Sequence, residues 1–309
     1  MKVISQSRED GGEKIEDRNQ KSEVSPQSSV EEGIPFVVSK NKYVSLPFSD
    51  YVRLSNSKEV NDSIISGIIR NNSKVEIEIR DSYEANGFEN KLIGHKHSLS
   101  LMHKETEIFN SFKKTQVQQP IQKSIRDGLT SIIKTDYESV IEFYKLHLLT
   151  RKKLGVPMQP KKFFYHLWNE IINKGMGYVF LVKLDDKVIS SGIFIGFNKI
   201  LTYKFSASHP GYLKYRPNNL MLWSGIQEAK KRGYELFDFG RTDLDTEGLR
   251  KFKLGWGTVE EPLYYSYYPK VPEDSKFKFI KDKIVAPIIR NSPKFMCRWS
   301  GELLYKYFG

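Results

Sequence analysis

The sequence has little cysteine and no long apolar run. Its one cysteine, Cys297, cannot form a disulfide within the chain, and six scattered histidines give no cysteine-based zinc framework. No stretch approaches the roughly 18 consecutive apolar residues needed to cross a bilayer, and the first 20 residues lack the apolar core of a secretory signal. We therefore expect a protein of a reducing compartment, in the cytoplasm.

Several catalytic signatures are also missing. The sequence contains no G-x-S-x-G, no P-loop and no H-E-x-x-H. We therefore expect neither a hydrolase of these types nor an enzyme driven by nucleotide hydrolysis. His95 and His97 lie two positions apart, which would place them on one side of a strand, but no third ligand follows. We predict no metal site and no bound cofactor.

Positive charge and aromatic residues are abundant instead. The 309 residues carry a net charge of +12 and 13% aromatic residues, a composition typical of proteins that bind nucleic acid, a nucleotide carrier or a lipid headgroup. Residues 1–33 are net negative and poor in apolar side chains, so we predict a disordered tail. Residues 270–309 mix basic and apolar side chains, which suits an amphipathic helix on an anionic membrane or one packed on the domain.

Residues 34–128 have the pattern of a small α/β unit. The predicted elements are a hairpin with strands at 36–38 and 43–46, a helix capped by Ser57, strands at 74–80 and 97–102, and a helix over 105–126 broken at Pro120.

Residues 129–269 are longer and more regular. The predicted elements are a strand at 129–133, a helix from Asp136, a helix over 160–173, a meander of strands at 178–184, 187–197 and 200–207, a helix starting at Pro217, a strand at 235–239, a helical turn at 248–255 and a strand at 259–268.

Polar residues are concentrated in the segment 234–257. Asp238, Arg241 and Asp243 lie at the carboxyl end of a predicted strand, where open α/β sheets bind ligands. A purely structural alternative is an ion pair between Arg241 and Asp243 that closes a turn. Lys251 and Lys253 lie two positions apart on a short helix, so at most one of them points into a given site.

Five motifs together resemble the FemAB-like branch of the GNAT acyltransferase superfamily, which includes the peptidoglycan interpeptide bridge aminoacyltransferases and exopolysaccharide-associated relatives. These motifs are LPFSDY (46–51), YKFSAS (203–208), RPNNLMLW (216–223), FDFGRTD (237–243) and GLRKFKLGWG (248–257). The resemblance implies an α/β fold with an α+β mixed sheet and tandem GNAT-like units at 34–128 and 129–269, the first shortened. It also implies amide-bond formation between an activated acyl or aminoacyl donor and an amine of a cell-envelope precursor.

The resemblance further implies roles for individual residues. Lys253 would contact the reacting acyl or phosphate group, and its alternative is a solvated helix lysine. Tyr203 would donate its hydroxyl or relay a proton, or would be a half-buried strand tyrosine. The predicted catalytic residues are Lys253, Tyr203 and Asp243. The predicted substrate-binding residues are Arg241, Asp238, Asn218, Asn219, Arg216, Trp223 and Lys251.

The donor is left open between two substrates. Asn218 and Asn219 follow Pro217 at a helix start, where main-chain N–H groups favour an anion. Acyl-CoA-using GNAT enzymes carry Q/R-x-x-G-x-G/A here, whereas this sequence reads KYRPNN. That difference favours aminoacyl-tRNA over acyl-CoA. The alternatives are an acyl-CoA-dependent N-acetyltransferase and a non-catalytic binder of an anionic polymer or membrane. Expected partners are a small or lipid-linked envelope precursor, tRNA, and the membrane's inner face through residues 270–309.

Overall fold

The chain forms two compact units in a computed structural model that describes residues 2–5, 33–47, 49–272, 285–293 and 297–298. The first unit combines residues 1–94 with 262–273, and the second combines 95–261 with 274–309. The predicted disordered tail lies mostly outside the described residues, although Lys2–Ser5 and Gly33 are strand residues. The predicted C-terminal helical tail also lies outside them, apart from 270–272, 285–293 and 297–298.

The first unit is built on a small mixed sheet. Its strands are β1 (Lys2–Ser5), β2 (Gly33–Ser39), β3 (Lys42–Ser45), β4 (Glu76–Ile79) and the later part of β11 (Val259–Tyr268), in that spatial order. β3 and β4 are parallel, and the other neighbouring pairs are antiparallel. The predicted hairpin of β2 and β3 is confirmed.

One helix covers this sheet. α1 (Lys58–Asn71) begins at Ser57, whose Oγ accepts a hydrogen bond from the N–H of Val60 at 3.3 Å, as the sequence predicts. Ile64, Ile65 and Ile68 recur on one face of the helix and are buried in the core of this unit. Burying such side chains supplies most of the stability of a short amphipathic helix.

The second unit holds the remaining elements. They are β5 (Glu89–Ser100, from His95 on), α2 (Glu105–Ser111), a π-helical turn (Lys114–Gln118), α3 (Gln119–Arg126), β6 (Thr130–Lys134), α4 (Tyr137–Leu154), α5 (Lys161–Leu167), a π-helical segment (Trp168–Met176), β7 (Gly177–Leu184), β8 (Lys187–Phe197), β9 (Ile200–Ser208), a 3₁₀ turn (Pro210–Tyr215), α6 (Pro217–Lys231), β10 (Leu236–Asp243), α7 (Glu247–Leu254), the start of β11 and α8 (Ala286–Asn291).

The sheet of the second unit has packed cores on both faces. Its strand order is β11-β5-β10-β9-β8-β7-β6. Along β7, Tyr178 and Phe180 enter the core that contains α3 and α6, while Val179 and Leu181 enter the core that contains α4 and α5. Because side chains alternate along a strand, this burial requires helices on both sides of the sheet.

The structure differs from the predicted helix break at Pro120 and from the predicted start of the strand at residue 97. The helix over 105–126 breaks at Phe112, which is extended, rather than at Pro120, which lies in the first turn of α3 where proline is tolerated. The N-terminal segment of the first compact unit ends at Gly94, and Phe112, Val117 and Ile121 are buried in the core of the second unit. The domain division at 128/129 stays a prediction. β5 also begins earlier than the predicted strand at 97–102.

Candidate active site

Two parallel strands of the second unit separate at the place where the motifs cluster. β9 and β10 pair over only three residues, Ile200–Thr202 with Leu236–Asp238. Beyond that point β9 carries a bulge, since Phe194 of β8 pairs with Tyr203 while Ile193 pairs with Phe205. A bulge bends its strand, and bulges are frequent beside active sites. The carboxyl ends of β9 and β10 therefore diverge, where α/β sheets place ligands.

Lys253 lies at the diverging end of β10. Its side chain is 5% exposed, and its Nζ donates hydrogen bonds to the carbonyl oxygens of Gly240 and Arg241, both at 2.9 Å. Gly240 has a φ of +70°, a conformation that glycine adopts without strain. A buried ammonium has to be hydrogen-bonded, so these carbonyls fix where the charge sits. The predicted catalytic lysine is thus a rigidly held cation rather than a solvated helix lysine.

Asp238 fixes the same turn from the other side. It is 4% exposed, its Oδ1 accepts the N–H of Gly240 at 2.8 Å, and its Oδ2 lies 3.3 Å from the hydroxyl of Thr202. The carboxylate therefore joins β9 to β10 at their last paired residues. Asp238 holds Gly240, and Gly240 in turn holds Lys253.

The remaining charged residues of this segment are exposed. Arg241 and Asp243 form an ion pair with Nε and Oδ1 2.8 Å apart and side chains 30% and 51% exposed. This is the turn-closing pair that the sequence offered as an alternative, and exposed pairs contribute at most about 1 kcal/mol. Lys251 is 69% exposed and lies 3.6 Å from Glu247, so it does not accompany Lys253 into the interior.

The start of α6 is tied to the neighbouring strands. Arg216 is exposed with a φ of +59°. The Oδ1 of Asn218 lies 2.8 Å from the Ser190 hydroxyl and also accepts from Ser208. Asn219 is buried, and its Nδ2 has no hydrogen-bond partner among the described residues. The predicted Asn218 therefore links α6 to β8 and β9.

The two predicted aromatic residues are packed. The ring of Tyr203 packs against that of Phe194 at a tilt of 40°, with ring centroids 5.3 Å apart, and burial raises the pKa of its hydroxyl to about 12. It stays protonated near neutral pH and can act only as a hydrogen-bond donor or acceptor there. Trp223 is 8% exposed and contacts Phe109 and Phe112, so packing alone accounts for it.

A group of buried and charged residues beside Lys253 was missed. Arg250, on the same face of α7, forms a two-pronged ion pair with Glu260 of β11 at 2.6 and 2.8 Å. The Oε2 of Glu260 lies 3.6 Å from the Nε2 of His97, which is completely buried on β5. The i, i+3 spacing of Arg250 and Lys253 is the sequence signal that points to this side of the helix.

In the part of the chain that the structure describes, no group of three or more histidine, cysteine, aspartate or glutamate side chains is suited to hold a metal ion. Among the same residues, no helix has the length and apolar character needed to span a bilayer.

Comparison with known proteins agrees with this architecture. Residues 114–257 match the family described as an acetyltransferase (GNAT) domain. No curated protein compared with the chain matches it. The fold is similar to that of FemX, with a TM-score of 0.63 and 16% identity over 84% of this chain and 89% of FemX.

Two further solved structures have the same fold. One is the C-terminal domain of a putative lysylphosphatidylglycerol synthetase from Agrobacterium fabrum, at 11% identity and a TM-score of 0.57 over 83% of this chain and 85% of that one. The other is L-PGS from Bacillus licheniformis, at 12% identity and 0.56 over 82% and 86%. The predicted fold class and the prediction of an acyltransferase are confirmed. Residues 114–257 therefore contain a GNAT acetyltransferase domain, and the resemblance to the FemAB-like branch, predicted from the motifs, is supported by the fold that the chain shares with FemX.

Proposed function

We propose that the protein transfers an activated aminoacyl or acyl group to an amine of a cell-envelope precursor. The observation that carries this proposal is the buried ammonium of Lys253, held on the carbonyl oxygens of Gly240 and Arg241 beside the gap between β9 and β10. The names of two neighbours, FemX and lysylphosphatidylglycerol synthetase, suggest the chemical class of donor and acceptor.

The reaction requires three things of the site. The acceptor amine must attack the acyl carbonyl in line and form a tetrahedral intermediate whose oxygen carries negative charge, and it must lose a proton. Collapse of the intermediate forms the amide and breaks the acyl C–O or C–S bond, and the leaving alcohol or thiol takes up one proton. A cation fixed in a site that excludes water stabilises that oxygen without rearranging during the reaction. We assign this role to Lys253, and we assign the positioning of its carbonyl partners to Asp238 and Gly240.

Tyr203 and the exposed ion pair of Arg241 and Asp243 would contact the substrates. Tyr203 lies on β9 at the bulge, and its protonated hydroxyl would donate a hydrogen bond to the acyl group or its leaving oxygen. Arg241 and Asp243, at the end of β10, would contact the polar part of the acceptor. Arg216 and Lys251 are exposed and would contact phosphates.

The start of α6 supports aminoacyl-tRNA as the donor. A pyrophosphate cradle needs glycines, so that the main chain can approach the phosphates closely. Here the corresponding turn reads KYRPNN, and Asn218 is already engaged with Ser190 and Ser208. The net positive charge of residues 34–269 would neutralise tRNA phosphates.

Acyl-CoA remains the second candidate donor, because the matching family is described as an acetyltransferase domain. In that case Asn219, whose buried Nδ2 has no partner among the described residues, would face the nucleotide phosphates. The Asn219→Asp variant separates the two donors, since a carboxylate at this position would repel a pyrophosphate bound at the helix start.

The test is a thermal-shift comparison with coenzyme A, acetyl-CoA and bulk aminoacylated tRNA at low and moderate salt. A salt-sensitive shift with tRNA, unchanged in Asn219→Asp, supports the aminoacyl donor. A saturable shift with the CoA compounds that Asn219→Asp abolishes assigns the alternative donor. If none of the three shifts the unfolding temperature, both donor assignments are overturned. Lys253→Met should retain binding while losing transfer.

We also propose that residues 270–309 contact the inner face of the membrane, where a lipid-linked acceptor would be found. In its described part, Ile289 is buried in the second unit while Ile288 is 56% exposed. The test is flotation of the full chain with vesicles of phosphatidylglycerol, with phosphatidylcholine vesicles as the control. Equal binding to both, or to neither, contradicts this proposal.

A further inference from the structure

A basic and aromatic turn joins β9 to α6 in the second unit. The 3₁₀ turn after β9 carries Tyr212, Lys214 and Tyr215, and Arg216 follows it directly. Lys187, at the start of β8, reaches the same turn, and its Nζ donates to the hydroxyl oxygen of Tyr212 at 3.0 Å. We call these five side chains the basic turn surface.

Both tyrosine rings have an accessible face. They pack against the core of the second unit, with ring centroids 6.2 Å apart and planes 30° apart. The ammonium of Lys187 lies 4.8 Å from the centroid of the Tyr212 ring, and that of Lys214 lies 5.1 Å from the centroid of the Tyr215 ring. Both lysines are exposed, so the ring faces that they cover can be reached from solvent. An exposed cation–π contact is weaker than the stacking of a nucleobase on an aromatic ring, so a base can replace the ammonium there.

The cations of this surface have no ionic partner. Lys187, Lys214 and Arg216 form no ion pair with any described residue, and positions 209–216 contain no acidic side chain. Lys214 and Arg216 also lie just before α6, whose dipole disfavours a cation at this end and favours an anion. A chain of phosphates would supply the missing negative charge.

Arg216 is an unfavourable residue for the fold at its position. Its φ is +59°, a left-handed conformation that asparagine or glycine adopts more readily. It immediately precedes α6, where asparagine would cap the helix, but the arginine side chain makes no capping hydrogen bond. Residues that oppose the local fold are expected where function requires them. The exposed guanidinium is therefore available to a ligand.

The surface follows the strand that borders the gap between β9 and β10. From Thr202, its last residue paired with β10, β9 continues to Ser208, which is roughly 20 Å at 3.3 Å per residue. An extended nucleotide chain whose reactive end lies in the gap can therefore follow β9 to the turn.

A membrane would also offer phosphates, but it explains the tyrosine rings less well. Binding to a bilayer interface uses apolar side chains that project from the surface. Of the large apolar side chains on the turn, which is described throughout, Leu213 alone is exposed, at 39%. A stacked nucleobase accounts for the rings as well as for the cations, so RNA is favoured.

We propose that the basic turn surface binds the unpaired nucleotides at the 3′ end of an RNA donor. A base stacks on Tyr215, and phosphates bind Lys214 and Arg216, with Lys187 and Tyr212 beside them. This inference rests on the proposed use of aminoacyl-tRNA as the donor, and it assigns the surface that holds that donor.

The first test measures RNA binding without a transfer reaction. A labelled single-stranded RNA of about 12 nucleotides ending in CCA is titrated with the full chain by fluorescence anisotropy between about 50 and 200 mM salt. Loss of one phosphate contact should reduce the slope of log affinity against log salt by about 0.7. We expect this in Lys214→Gln and not in Lys161→Gln, at an exposed lysine of α5. Equal slopes in the two variants overturn the inference.

The second test separates stacking from packing. Tyr215→Phe keeps an aromatic face and should bind RNA like wild type, whereas Tyr215→Leu should lose at least about fivefold in affinity with an unchanged salt slope. Tyr165→Leu, at an exposed tyrosine of α5, is the control and should bind like wild type. Equal affinities of the two Tyr215 variants overturn the stacking assignment.

The third test separates binding from folding. Arg216→Asn suits both the left-handed conformation and the cap position, so it should raise the thermal midpoint while it weakens RNA binding. A variant that loses stability and binding together would show that Arg216 acts through the fold, against this inference. If Arg216→Asn weakens flotation with phosphatidylglycerol vesicles and leaves RNA binding unchanged, the surface binds lipid and the inference is wrong.

Failure of the proposed function is distinguishable from failure of this inference. If RNA binds with the expected pattern but no aminoacyl transfer occurs, the proposed function fails and the assignment of the surface stands. If transfer from aminoacyl-tRNA is unchanged in Tyr215→Leu and Arg216→Asn, the proposed function stands and the assignment of the surface fails.

Discussion

The Nζ of Lys253 lies 2.9 Å from the carbonyl oxygen of Gly240, thirteen residues earlier in the chain. This bond joins α7 to the end of β10, and a second bond to Arg241 makes the contact two-pointed. The same ammonium thus links α7 to β10 and is the cation that we propose to stabilise the tetrahedral intermediate. Removing the ammonium should therefore lower both stability and activity. The exposed Lys251 on the same helix provides a control for the loss of a lysine side chain.

Lys253→Met should cost stability and abolish transfer. The Gly240 carbonyl oxygen, in a buried contact, and the Arg241 carbonyl oxygen, in a half-buried one, would lose their donor, which costs about 1–3 kcal/mol of unfolding free energy. Lys251→Met is the matched control on the same helix, because Lys251 is 69% exposed and its loss should change stability by less than about 0.5 kcal/mol. Chemical denaturation and a transfer assay check both variants, and equal effects would contradict the assignment.

Gly240→Ala should weaken the hydrogen bond between Lys253 and the carbonyl oxygen of residue 240 by changing the acceptor. A φ of +70° costs a residue with a Cβ about 1–2 kcal/mol. The carbonyl of residue 240 would then shift, and we expect turnover to fall with stability. Gly248→Ala is the control, since an added Cβ there meets open space in a helix and should raise stability by about 0.5 kcal/mol. Denaturation midpoints of the two variants should move in opposite directions.

Gly225→Ala should destabilise the packing of α6 on β8. An added Cβ would lie 2.7 Å from the Cε1 atom of Phe194, whose ring is completely buried and cannot move aside. Overpacking of this kind costs about 1–3 kcal/mol. Gly67→Ala in α1, where the space is open, should instead stabilise the protein slightly. A lower thermal midpoint for Gly67→Ala would show that helical glycines here resist substitution for another reason.

Acidification should destabilise the protein through His147. This residue is 4% exposed, its Nε2 lies 2.9 Å from Gln159, and burial lowers its pKa to about 4 from the ordinary 6.5. Between these values the unfolded chain binds a proton that the folded protein does not. Stability therefore falls as pH drops from 6.5 to 4, by about 3 kcal/mol from this group.

The measurement for this prediction is the unfolding free energy as a function of pH. His147→Gln should flatten the slope between pH 6.5 and 4, because its amide has no proton to gain there. His166→Gln, at an exposed position on α5, should leave the slope as it is. An unchanged slope in His147→Gln would assign the acid sensitivity to other groups.

Local signals were enough for most elements of the fold. The Oδ1 of Asp136 accepts the N–H of Ser139 at 2.8 Å, as expected of a residue that starts a helix. The turn at Asp185 and Asp186 joins β7 to β8 as predicted. These features depend on neighbours within a few residues, so the sequence displays them directly.

Features that depend on distant contacts were not predictable in this way. The chain breaks at Phe112 because its ring packs against Trp223 and Trp256, far along the chain, and no local residue signals the break. Lys253 stands out within its motif, but His97 and Glu260 are brought together only by strand pairing. Their spacing along the sequence carries no periodicity that could reveal a shared site.

The short pairing of β9 with β10 has a consequence for selectivity. Where two neighbouring strands part, a ligand of extended shape can take the position of a missing strand and hydrogen-bond to peptide groups on either side. Main-chain hydrogen bonds do not depend on the identity of the side chains. The gap between the strands would therefore bind the peptide-like part of many donors with similar affinity. Specificity would then depend on the few side chains beside the gap. Substitutions of these side chains would alter specificity without altering the main-chain contacts.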